Sequence, residues 1–207
     1  MGDLLGLLHT LPFDESVSRP GGASGDDPSR EGSPRQDLIA ALAFLDAAED
    51  AAETKVAPAE RERLEQLRDQ VRTADDGQGL PEALLHGNLL HAPDHVILGE
   101  QGPVAINWKA AGRGPRLADF AWLIRGTWGN ADWINLAVGA YRQHVELTGE
   151  ELERFEALMY IRPLYLGCFS YRRDLINGRP PGQEVWGFVN PERIGAIAAA
   201  TRAAYRR

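Results

Sequence analysis

The sequence has a single cysteine, Cys168, in 207 residues. One thiol makes no internal disulfide, and so sparing a use of cysteine fits a reducing compartment. It lies in YLGCFSY, an apolar setting that reads as a small buried hydrophobe rather than a reactive thiol. Positive charge is also short: 22 Lys and Arg against 30 Asp and Glu leave a net charge of -8. A chain of that sign carries no general footprint for nucleic acid, whose phosphates need a basic face. No apolar run reaches the ~18–20 residues that span a bilayer. Met1–Leu11 has an acid at Asp3 and no basic start, so it lacks the layout of a signal peptide. The expectation is a cytoplasmic protein with neither nucleic acid nor membrane as a partner. The rest of the composition, 43% hydrophobic and 25% charged, fits an ordinary soluble fold with one sizeable core.

Periodicity divides the chain. Leu4, Leu5, Leu7, Leu8 and Leu11 mark a one-sided helix that Pro12 stops. Residues 14–36 are dominated by Gly, Pro, Ser and charge, and predict a flexible loop that buries too little to offset its ordering entropy. A helix is expected over 37–53 with Asp37 as its cap, and another over 58–75 with Pro58 at its start and Leu64, Leu67 and Val71 on one face. The period then changes. ALLHGN reads as a short strand entering a loop, and HVIL and VAIN read as strands of a hairpin joined by GEQG. A loop, AAGRGPRL, precedes a return to helices: one near Asp119, one over 131–147, one over 150–176 with Thr148 and Glu151 spaced as a capping box, and a last one from Asn190-Pro191. The layout is α+β, mostly helical, with one small β element, and residues 1–207 read as a single domain.

Polar residues gather around that β element: His86, Gly87, Asn88, His91, Asp94, His95, Asn107, Lys109 and Asp119. A strand, loop and hairpin focus such groups on one spot. Phosphoryl transfer needs a carboxylate there to orient or deprotonate an acceptor hydroxyl, and further oxygen ligands to hold Mg²⁺ on the nucleotide. The histidines alone suggest other chemistry, since imidazole titrates near neutrality and also binds metals. Their spacing matches no standard zinc pattern.

The stretch HGNLLHAPDHVILGEQGPVAINWKAAGRGPRLADFAWL resembles the catalytic core of the aminoglycoside phosphotransferase family, whose relatives include choline kinase. That pattern runs His-Gly-Asp, Asn-Val-Leu, a hairpin, Ile-Asp-Trp, then Gly-x-x-x-x-Asp-Leu-Ala. The resemblance implies the C-terminal lobe of a protein-kinase-like fold with a small β-hairpin, and ATP and Mg²⁺ as cofactors. It places Asn88 at the catalytic Asp, Asn107 at the Mg²⁺-binding Asp, and His95 at the metal-binding Asn. His86, Trp108 and Asp119 match, with Asp119 as support of the catalytic loop. An amide accepts a hydrogen bond but brings no charge and no useful basicity. Losing a positioned base costs about 10²–10⁴ in rate. The family's N-terminal lobe, which covers ATP, is expected to be absent, because the chain starts at the helix that follows it.

Asn88 and Asn107 admit three readings: a pocket kept neutral for binding, a site retained only for the fold, and an engineered inactive form. His86, Asn88, His91 and His95 are the candidate catalytic residues, Asn107 the weakened metal position, and Asp119 and Trp108 the supports. Trp122, Trp128 and Trp133 read as core before they read as a ligand groove. Arg162, Arg172, Arg173 and Arg179 offer an acidic partner or peptide a place to bind. The leading expectation is a truncated, inactive phosphotransferase-like protein, a pseudokinase acting as a binding or regulatory subunit. A protein partner or self-association would cover its exposed interlobe face. The alternative is an enzyme that reuses the pocket on a small-molecule or peptide natural product, by slow phosphoryl transfer or by acid/base chemistry of His91 or His95.

Overall fold

Pro12 ends α1 (Gly2–Thr10) as expected, holding Leu11 in extended backbone at φ -63° and ψ 134°. The structure, a computed structural model, describes residues 1–12, 33–52, 58–89, 95–100, 102–179 and 190–206. Most of the 14–36 loop lies outside them, as do His91 and Asp94.

The second helix corrects a sequence reading. α2 (Pro34–Ala52) starts before Asp37. Ser33 Oγ accepts the Gln36 N–H at 3.3 Å, and Pro34 opens the helix, so Ser33 is the cap. Asp37 falls in the first turn and on the buried face, which frees its carboxylate for a tertiary partner. α3 (Pro58–Thr73) buries Leu64, Leu67 and Val71, the face read from their spacing. Its Arg68 gathers Asp46 and Glu49 of α2, at 2.8 and 2.6 Å, and so clamps the two helices.

Four short strands follow. β1 (Glu82–Leu85) pairs antiparallel with β4 (Gly112–Pro115), in register from Glu82 opposite Pro115 to Leu85 opposite Gly112. β2 (Val96–Gly99) and β3 (Gly102–Ala105) form the expected hairpin. β4 lies where the sequence reads as loop. Its residues, Gly-Arg-Gly-Pro, have little strand propensity, and the partner strand supplies what they lack. Gly114 also has a packing reason: a Cβ there would stand 3.0 Å from both Leu85 and Ser33.

Helices then return as α4 (Arg116–Arg125), α5 (Ala131–Tyr141), α6 (Gly149–Ile176) and α7 (Pro191–Tyr205). α5 is shorter than the 131–147 expected, because residues 142–148 turn toward the next cap. That cap is the full Thr148–Glu151 box. Asn190 caps α7, with Pro191 at its first position. α2 lies along α6, α1 along α5, and α4 fills the centre against α6. Phe120 of α4 stacks on Tyr141 of α5 at 4.2 Å between ring centres. Cys168 is fully buried in α6, and burial pushes its thiol up to about 12, where it is not a nucleophile. Trp122 is core, whereas Trp128 and Trp133 are exposed. No helix among the described residues is long and apolar enough to cross a membrane.

One ion pair ties the centre together. Glu151, wholly buried, takes Arg116 in a two-pronged contact, Nε and Nη2 each at 2.9 Å, while also closing the α6 capping box. Removing one side of a buried pair strands the other charge. Glu151→Ala should therefore cost about 3–5 kcal/mol in urea unfolding, with Glu151→Gln losing less because its amide keeps the cap.

Candidate functional site

β1 delivers the chain to His86, and Gly87 turns it at φ 77°, a conformation glycine adopts without strain. That turn points two backbone N–H groups at one side chain. Asp119, in the first turn of α4, accepts them: His86 N–H on Oδ2 at 2.6 Å and Gly87 N–H on Oδ1 at 2.9 Å. All three residues are buried. Behind Asp119 stands His9 of α1, its Nε2 3.8 Å from Oδ2. His9 Nδ1 meets the Tyr141 hydroxyl at 2.8 Å. Burial pushes the Tyr141 phenol well above its ordinary value, so it stays protonated.

The His86 side chain is as constrained as its backbone. Nε2 donates to the Ile106 carbonyl at 2.8 Å, which fixes the tautomer and leaves Nδ1 as the bare nitrogen. Its ring packs on Trp108 at 4.7 Å and edge-on to His95 at 5.8 Å. Trp108 is tied in turn by its indole N–H to Ala105 O at 3.0 Å. Asn107 holds a left-handed backbone, φ 64°, which asparagine tolerates better than most residues.

The His95 ring lies between the two asparagines. Its Nε2 is 3.5 Å from the Asn88 amide and its Nδ1 is 3.4 Å from the Asn107 amide. In both contacts the amide nitrogen Nδ2 faces the ring, and a neutral imidazole accepts from only one such donor. Asn88, His95 and Asn107 thus form one group to which neither asparagine brings a negative charge. His86, Asn88, His95, Asn107, Trp108 and Asp119 come together; His91 lies outside the described residues.

A family model described as the phosphotransferase enzyme family matches residues 1–157. The chain belongs to that family. Its fold is similar to that of a choline/ethanolamine kinase family protein from Mesorhizobium loti, with a TM-score of 0.55 and 19% identity. The match covers 99% of this chain and 65% of that one, so the chain spans less than two thirds of that protein's length. No curated protein sequence matches. The mostly helical, kinase-like fold with small antiparallel strand pairs is the one that the HGN-to-ADF motifs implied.

Membership of the phosphotransferase family raises the question of Mg²⁺. The donor set does not fit it. Mg²⁺ prefers hard, anionic oxygens in octahedral array, and Asn88, Asn107 and His95 offer no charge. Among the described residues no three His, Cys, Asp or Glu side chains converge as a metal site. Asp119 is committed to loop amides.

Two site residues escaped the sequence. His9 left a faint signal, since it shares the helix face of buried Leu5. Asp37 reads as a cap, yet it pairs with Arg162 of α6 at 2.7 Å, beside Gly87 and Asp119. This also corrects Arg162, whose guanidinium is occupied by Asp37 rather than offered to an acidic partner. Burial outweighs the Arg162 charge and pushes Asp37 up to about 6.

Asp119→Asn puts an NH₂ against one of the two loop N–H donors. The expected loss is about 2–4 kcal/mol, and hydrogen exchange at the His86 and Gly87 amides should accelerate before that of the core helices. Asp37 rises from an ordinary 3.8 to about 6, so folding takes up a proton between those values. Its contribution to stability therefore grows as pH falls through that window, by on the order of 1–3 kcal/mol. Asp37→Asn is uncharged throughout, so urea midpoints should show wild type gaining on the variant from neutral pH down to pH ~4.

Proposed function

We propose that this phosphotransferase-family chain is a pseudokinase, a ligand-binding or regulatory protein that does not carry out metal-dependent phosphoryl transfer. The observation that carries the reading is the His95 ring seated between Asn88 and Asn107. Those are the positions at which the family resemblance calls for carboxylates. In their place stand two uncharged amides that face one imidazole ring. A transferring phosphoryl group needs metal-held charge and a base for its acceptor, and this group supplies neither. The rigid support around it is intact, through Asp119, His86 and Trp108. A loop whose frame is kept while its charge is gone suits binding better than turnover.

The hairpin supports the partner side of the proposal. Ile97, Leu98, Val104 and Trp108 are all exposed on or beside β2 and β3, with Leu98 at 84%. Ile97 and Val104 stand opposite each other across the hairpin and share one of its faces, and exposed apolar surface of this kind suits a contact. A partner protein, or a second copy of the chain, would cover it.

Thermal unfolding with ATP, with and without Mg²⁺, tests the reading. A ligand of the native state alone raises Tm by mass action. Wild type should show no Mg²⁺-dependent rise. The triple variant Asn88→Asp, His95→Asn, Asn107→Asp should show one, of about 2–4 °C per kcal/mol gained. A Mg²⁺-dependent rise in wild type, or steady ATP turnover by the pure protein, would overturn the proposal.

A further inference from the structure

The Asp37–Arg162 pair borders a small cavity of about 20 Å³ that adjoins the catalytic loop on the side of α2 and α6. Gly87, Asp119 and Trp122 also line it, with Pro34 and Leu158 among the apolar walls. Trp122 is 7% exposed, and its indole N–H has no hydrogen-bond partner among the described residues. The Nε–H of Arg162 is likewise buried without one. An orphaned buried donor is costly, and such groups in native proteins are met by a bound oxygen. Here two orphaned donors belong to residues that line the same space.

Charge limits what that oxygen belongs to. Asp37 and Asp119 bring two carboxylates against one guanidinium, so an anion meets net repulsion. The two N–H donors need an acceptor, which an ammonium or a metal cation does not provide. Asp37 spends Oδ1 on Arg162 Nη1, and its second oxygen remains to accept. The group that satisfies all of these donates and accepts at once: an O–H. The volume holds about one such oxygen.

We propose that this cavity is a binding site for one hydroxyl-type oxygen, held by water in the free protein and taken by an alcohol group when a small-molecule ligand is bound. Trp122 and Arg162 donate to it and Asp37 accepts from it. Gly87 is in the wall and Asn88 follows it in the chain, so a ligand anchored here reaches the former catalytic position. The second half rests on the ligand-binding reading above; the first half does not.

The test follows the Trp122 indole N–H by NMR in the full chain, its resonance identified by its loss in Trp122→Phe. Resident water gives a cross-relaxation peak between that N–H and a long-lived water. Titration with methanol, methylammonium chloride and sodium formate then separates the chemistries. The proposal expects the water peak, and a shift of the indole resonance with methanol alone that is weakened in Asp37→Ala. A water peak without a methanol shift would overturn the ligand half. A larger shift with formate or methylammonium would overturn the assignment of an O–H group. Absence of both the water peak and any shift would overturn the site altogether. None of these readouts depends on ATP or Mg²⁺, so the fate of the pseudokinase reading is decided separately.

Discussion

The carboxylate of Asp119 governs this molecule. It sits buried at the start of α4, takes two backbone N–H groups of the 86–87 turn, and faces His9 from the opposite side. An ionised carboxylate in such a place is tolerated only because it is hydrogen-bonded on both oxygens. In return it holds the turn at one angle, which sets where Asn88 points. α1, β1, α4 and α5 all reach this group, through His9, the loop amides, Asp119 itself and Tyr141. The Arg116–Glu151 pair braces the same helix start from the side of α6.

Around that frame, positions 88 and 107 carry amides, and Asp37 and Asp119 stand in the support. Asn88 and Asn107 face the His95 ring and bring no charge of their own. The remaining carboxylates of the region, Asp37 and Asp119, are each bound to protein donors. A divalent cation finds no anionic oxygen at positions 88 and 107. On the far side of Gly87, Trp122 and Arg162 each hold a buried donor with no partner among the described residues.

Much of this was legible from local pattern. The Leu64, Leu67 and Val71 spacing, the Thr148–Glu151 box, the Asn190-Pro191 start and the GEQG hairpin each depend on residues within a turn or two, and each is present. The order of the HGN, HVIL, INW and ADF segments pointed to the family. β4 was not legible, because Gly-Arg-Gly-Pro has no strand character until Leu84 and Leu85 stand beside it. Asp37 was misread for a related reason. An acid before an apolar run looks like a cap, and only the position of Ser33 one turn earlier shows that it is not.

The sequence by itself therefore determined which residue types stand at the loop, and in particular that positions 88 and 107 carry no charge. That is a property of side chains and needs no coordinates. Only the tertiary structure decided what those residues do to one another. His95 reaches Asn88 and Asn107 because the hairpin folds residues 7 and 12 positions apart onto one point. Asp37 meets Arg162 across 125 positions because α2 lies along α6. Local propensity acts over a helical turn, whereas burial and ion pairing act through space, so the frame was readable from the chain and the contents of the site were not.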